Sequence, residues 1–112
     1  MPVKSEDYNG VCVIGVTGEF AGESAVAARL TAETSMRQRQ IADFIVDLEK
    51  AQFIDSQGLE TLLWIKRRCE EMFGQIKLAA VDETIRRILA MTRLDHQFQC
   101  AADVPTALKT MR

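Results

Sequence analysis

Excess positive charge, histidine and closely spaced cysteines are lacking or scarce in this 112-residue chain, and each shortage removes a class of function. Lys and Arg total 14 against 16 Asp and Glu, a net charge of -2 with a pI near 5.4. There is thus no global positive field to hold a phosphate backbone, and direct nucleic-acid binding is not expected. Cys12, Cys69 and Cys100 are far apart and include no Cys-x-x-Cys pair, which excludes a disulfide framework or zinc knuckle and predicts a reducing compartment. They read as small buried hydrophobes, and no metal or cofactor is expected. No apolar run approaches the ~20 residues of a membrane helix, and Met1–Asp7 lacks the apolar stretch of a signal peptide. The expectation is a cytoplasmic protein without direct membrane contact. His96 is the only histidine, so a Ser-His-Asp arrangement would have to use it with Ser56 and Asp55 or Asp47. The spacing does not support this, and no Gly-x-Ser-x-Gly elbow is present, so the chain is not expected to be an enzyme.

What is present describes an ordinary globule. Hydrophobic residues make up 47% and charged residues 27%, in a length that suits one core, so residues 1–112 are expected to form a single domain. Residues 11–18 form a β-branched run between glycines and read as a strand, with a shorter one around 3–8. Glu19 to Glu23 reads as a loop, and Ser24 as the cap of a helix through Ala25, Val26, Leu30 and Met36. Phe44–Leu48 is nearly unbroken apolar sequence, the pattern of a strand covered on both faces. From Gln57 to Phe73, Leu59, Leu62, Leu63, Ile65, Cys69, Met72 and Phe73 recur at helical spacing, with Gly74 as a C-terminal stop. Ile76–Val81 is a further strand. Asp82 is placed to cap a helix with Ile85, Ile88 and Leu89 inward, and a brief strand (98–101) and a terminal helix (104–111, with Pro105 in its first turn) complete the chain. Alternating strands and helices imply an α/β fold with a mixed sheet of four to five strands and about four helices.

The informative segment is Phe53-Ile54-Asp55-Ser56-Gln57-Gly58-Leu59, which enters the strongest helix. Ser56 reads as its N-cap. Gly58 in the first turn costs ~1 kcal/mol of helix propensity, so it marks close approach by another group. A phosphoryl group on Ser56 would sit at the positive end of the helix dipole, where the fold tolerates it.

These residues, with Val46-Asp47-Leu48 before them and Ile85-Arg86-Arg87-Ile88-Leu89 and Leu94-Asp95-x-x-Phe98 after, resemble the STAS domain of bacterial anti-sigma factor antagonists from Val11 to Leu108. The resemblance implies a non-catalytic switch. Unphosphorylated protein would bind a serine-kinase anti-sigma factor and so free a sigma factor; phosphorylation at Ser56 would end that binding. The implied partner surface is Asp55, Gln57, Gly58, Leu59 and Glu60, with Glu19, Phe20, Glu23 and Ser24 of the adjoining segment. Two departures stand out: Ala21 replaces an acidic residue of the family pattern, and Arg93 a glycine. Trp64, the only tryptophan, projects to the polar side of the main helix and serves either as packing against a neighbour or as an interface anchor. Arg67-Arg68 and Arg86-Arg87 are either solvated or meet an acidic partner. The alternative function is a non-phosphorylated STAS subunit of a lipid-transport ABC complex or a stress-signalling scaffold. A monomer or weak homodimer is expected.

Overall fold

A computed structural model describes residues 2–111. It begins with a hairpin set by Asn9-Gly10, whose positive φ values (52° and 86°) are those of a type I′ turn, the twist that suits two antiparallel strands. The strands are β1 (Val3–Tyr8) and β2 (Val11–Val16). The chain continues through β3 (Gly18–Phe20), α1 (Gly22–Arg39), β4 (Asp43–Asp47), β5 (Ala51–Ile54) and α2 (Ser56–Glu71). It ends with β6 (Ile76–Ala79), α3 (Glu83–Met91), β7 (Gln99–Ala101) and α4 (Val104–Lys109). The main sheet has the order β1-β2-β4-β6-β7, with β1 antiparallel to β2 and every other neighbour parallel. The expected mixed sheet and four helices are therefore present, joined by a small parallel pair, β3-β5, that the sequence presents as loops.

Alternation along the strands separates two cores. Cys12, Ile14, Val16, Phe44, Val46 and Leu78 face α1, α2 and α3. Val11, Val13, Ile45 and Ala79 face α4 through Ala107. The run Phe44-Ile45-Val46 is buried throughout because β4 is covered on both sides. Helix α1 presses Ala25, Ala28 and Ala32 onto the sheet, small residues that let it lie close, and consequently turns Val26 and Leu30 out to solvent, at 54% and 56% exposure.

Helix ends depart from the expected chemistry. At the end of α2 the left-handed residue is Phe73 (φ 65°), and hydrogen bonds from Phe73 N–H to Glu70 C=O (3.1 Å) and from Gly74 N–H to Cys69 C=O (2.7 Å) complete a Schellman motif. Phe73 is thus 97% exposed rather than part of the helix stripe. Gly74 serves another purpose: a Cβ there would run into the Ala42 backbone. Arg93 closes α3 the same way at φ 61°, so the position where the family pattern has glycine does adopt the left-handed conformation. Strand β6 ends at Ala79, short of Val81, because Ala80 is left-handed (φ 58°). Cys12 and Cys69 are buried as expected, and burial pushes the Cys69 thiol up to about 12. Cys100 is exposed, on the outer strand β7.

Candidate functional site: two helix N-termini joined by a short parallel pair

Parallel strands end on the same side, so the elements that follow them start together. Strand β3 pairs with β5 in the register Glu19↔Phe53 and Phe20↔Ile54, and each leads directly into a helix. The N-termini of α1 and α2 are therefore neighbours. Asp55 N–H donates to Phe20 C=O at 3.4 Å, and the Gln57 side-chain oxygen accepts from Gly22 N–H at 3.1 Å, tying the first turn of α2 to that of α1.

Gly58 is what allows the approach. It is buried, and a Cβ on it would collide with the Phe20 carbonyl oxygen and come within 2.6 Å of the Ile54 side chain. The close neighbour inferred from the sequence is thus the chain's own β3 backbone.

The cap of α2 is Asp55, not Ser56. The Asp55 carboxylate accepts from Gly58 N–H at 3.0 Å, with extended backbone at the cap (φ -107°, ψ -171°). Ser56 becomes the first residue of the helix proper. It is exposed, and its hydroxyl has no hydrogen-bond partner among the described residues. Both adjacent residues are good capping types, and the carboxylate takes the role.

Around Ser56, the other expected contact residues divide by accessibility. Glu19, Glu23, Gln57 and Glu60 are exposed, and Asp55 and Leu59 are half-buried. Phe20 is fully buried and Ser24 is 5% exposed, so both shape the surface rather than touch a partner. The reason lies in β3: strand alternation sends Phe20 into the core, and Ser24 lies in the first turn of α1, two residues inside its start at Gly22, rather than at a cap. The Ser24 hydroxyl accepts from Ala21 N–H at 2.9 Å and donates toward the Glu19 carbonyl at 2.7 Å. Ala21, the departure from the acidic pattern, is the N-cap of α1 and offers no side-chain acceptor.

Trp64 faces α1. Its ring lies between the guanidinium groups of Arg29 (4.7 Å to the centroid) and Arg68 (5.2 Å), and it packs on the main core. Together with Val26, Leu30, Glu33, Gln57 and Glu60 it lines a groove of about 340 Å³. Sequence periodicity places Trp64 correctly on a polar flank of α2, but cannot supply Arg29 or the outward-facing Val26 and Leu30, because those depend on how α1 lies against α2. Arg67, Arg86 and Arg87 are exposed, and Arg87 pairs with Glu83 at 3.2 Å. His96 lies beyond α3, near Asp95 at 3.9 Å, and is not bonded to Ser56. Among the described residues no cluster of three or more His, Cys, Asp or Glu could hold a metal, and no helix is long and apolar enough to cross a membrane.

An exposed, unbonded serine on the first turn of a helix, ringed by solvent-facing polar groups and backed by a rigid strand pair, is chemically equipped to receive a group and display it. Known proteins of the same architecture are consistent in kind. An anti-sigma F factor antagonist of Paenibacillus polymyxa is 23% identical over 94 residues, 84% of this chain and 80% of that protein. The anti-sigma factor antagonist SpoIIAA in its unphosphorylated form has a TM-score of 0.86 at 22% identity, covering 96% of this chain and 93% of that one. SpoIIAA of Bacillus in its phosphorylated form has a TM-score of 0.80 at 22% identity, covering 98% and 99%. At these identities the structures speak for the fold. The family model of the STAS domain matches residues 3–107, all seven strands and most of α4 included, and the chain belongs to the STAS domain family.

Proposed function

We propose that the protein is an anti-sigma factor antagonist whose partner is a serine-kinase anti-sigma factor, and that phosphorylation of Ser56 ends their association. The observation that carries this reading is the freedom of the Ser56 hydroxyl: Asp55 satisfies the α2 cap, so modification of Ser56 breaks no internal hydrogen bond. The chain acts as the substrate: its hydroxyl oxygen takes the terminal phosphoryl group of ATP, ADP leaves, and the hydroxyl proton passes to a base on the kinase. The product adds a charge of about -1.5 to -2 at neutral pH. It falls on the favourable end of the α2 dipole, next in sequence to Asp55 and one helical turn before Glu60, whose like charges add to the new one. Fold stability should therefore change little, and the partner surface a great deal.

The names of the relatives support the class of partner, and the STAS architecture supports the location. Incubation with ATP and the serine-kinase anti-sigma factors of the same cell, followed by mass spectrometry, is expected to place a single phosphoryl group on Ser56. Absence of modification, together with recovery of a stable complex with a transporter permease or ATPase, would replace this reading by that of a structural subunit.

A further inference from the structure

The main sheet has a free edge at β1, and the charges along that edge match themselves. Thr17 N–H donates to Pro2 C=O at 2.8 Å, and the register runs Val3↔Val16 to Tyr8↔Val11. In an antiparallel ladder this makes Lys4/Gly15, Glu6/Val13 and Tyr8/Val11 the hydrogen-bonded pairs, in agreement with the two-residue turn that follows Tyr8. The N–H and C=O groups of Val3, Ser5 and Asp7 then point away from β2. They have no backbone partner among the described residues.

We propose that β1 pairs antiparallel with β1 of a second copy about a two-fold axis at Ser5, making one continuous sheet across the dimer. Outward-pointing residues can pair only with outward-pointing residues, which leaves few symmetric registers. Centred on Lys4, the register sets Lys4 against Lys4; centred on Glu6, it sets Glu6 against Glu6. Centred on Ser5, it sets Val3 opposite Asp7 and Lys4 opposite Glu6, twice by symmetry. The Lys4–Glu6 pairs are non-hydrogen-bonded pairs, in which side chains come closest and opposite charges attract. Charged residues on an edge strand ordinarily guard it against pairing. In this one register the guards become the contact.

Room for the pair exists on the same face. Helix α4 packs on β4, β6 and β7 and reaches Val11 and Val13 of β2, while Lys4, Glu6 and Tyr8 of β1 on that face stay exposed. Beside β1 lies an open hollow of about 550 Å³ lined by Lys4, Glu6, Val13, Gly15, Asp47 and Lys50. Tyr8 O–H donates to one Glu6 carboxylate oxygen on the same strand, and the other oxygen remains for Lys4 of the second copy. A single short strand pair buries less than the ~1,000 Å² of a durable interface, so the dimer is weak, with a Kd on the order of 0.1 mM.

The test is sedimentation velocity with amide hydrogen exchange on the unphosphorylated full chain, from about 10 µM to about 1 mM, spanning the expected Kd. The dimer fraction is expected to rise across this range, and the Ser5 and Asp7 amides to gain protection in parallel. Ser5→Pro deletes an N–H that β2 does not use and is expected to abolish the dimer. Lys4→Glu is expected to weaken it at least ~10-fold, as expected for two like-charge contacts, and Lys4→Glu with Glu6→Lys to restore it. A chain that remains monomeric at the upper concentration would overturn the proposal. So would a dimer that survives Ser5→Pro, or one that the double charge exchange fails to rescue. The exchange of the wild-type amides reads the edge directly, whatever the substitutions do to folding.

Discussion

At the residue scale the site turns on three neighbours with different duties. Asp55 caps, Ser56 is left free, and Gly58 lets the first turn of α2 touch β3. The sequence makes the segment legible, since a serine two positions before a glycine at a helix start is unusual enough to single out. It leaves the division of labour open, because Asp and Ser are near-equal caps and only the path of the chain out of β5 decides between them. The partner of Gly58 is likewise invisible to local patterning: Phe20 is 38 positions earlier and meets it only through the β3-β5 register. Gly58→Ala sets two effects against each other. Helix propensity improves by ~1 kcal/mol, while a methyl group meets the fixed carbonyl oxygen of Phe20 and the Ile54 side chain. Strain wins, because relief requires separating β3 from β5. Urea unfolding is expected to show a net loss of about 1–3 kcal/mol, and an unchanged midpoint would refute the close approach.

At the element scale, both ends of the helices carry unspent stability. Helix α1 is capped by Ala21, an extended residue (φ -157°, ψ 159°) with no side chain able to accept from the first-turn N–H groups. Ala21→Asp supplies an acceptor and a favourable charge at the dipole, and is expected to stabilise the protein by about 1 kcal/mol in thermal or urea unfolding. It also places an acidic side chain at the helix start that Gly22 and Gln57 tie to the first turn of α2. The C-terminal ends tell a matching story, since Phe73 and Arg93 hold left-handed conformations that glycine adopts without strain. Phe73 is almost wholly exposed, so Phe73→Gly sacrifices little packing, and Arg93 is also exposed. Each glycine substitution is expected to raise stability by about 0.5–1 kcal/mol after the entropy that glycine adds to the unfolded chain is deducted, visible as a rise of a few degrees in Tm.

Elements of strong periodicity, α2 and α3, are readable from sequence, and so is the buried run of β4. Strands β3 and β5 are not: they are short, begin or lie at turns, and owe their existence to pairing with each other. The α2 pattern also runs on through Phe73, because hydrophobic spacing does not register the left-handed residue that ends the helix. The α1 reading errs at its start for a related reason: Ser24 is a capping residue type but works from inside the first turn, bonding back to Ala21 and Glu19.

At the scale of the whole molecule, the sheet separates tasks. One face and its helices fix the β3-β5 pair and the two helix N-termini, while the other face carries α4 and an open strip beside β1. The residues proposed for the β1 contact do not overlap those around Ser56, so dimer formation and partner binding can be measured apart. The fold class was legible because strand and helix signals alternate along almost the entire length. Which edge stays free was not, since strand order depends on long-range pairing. A charge change at one exposed serine acts on a chain whose formal net charge is only -2, so the modification roughly doubles it. Binding, rather than folding, is where the effect should appear. The most direct measurement is a pair of calorimetric titrations of the same serine-kinase anti-sigma factor, one with unmodified protein and one with protein fully phosphorylated on Ser56. Clear binding is expected in the first and an affinity at least ~100-fold lower in the second, about 2.7 kcal/mol, with the Tm of the protein nearly unchanged. Equal affinities in the two titrations would contradict the proposed function.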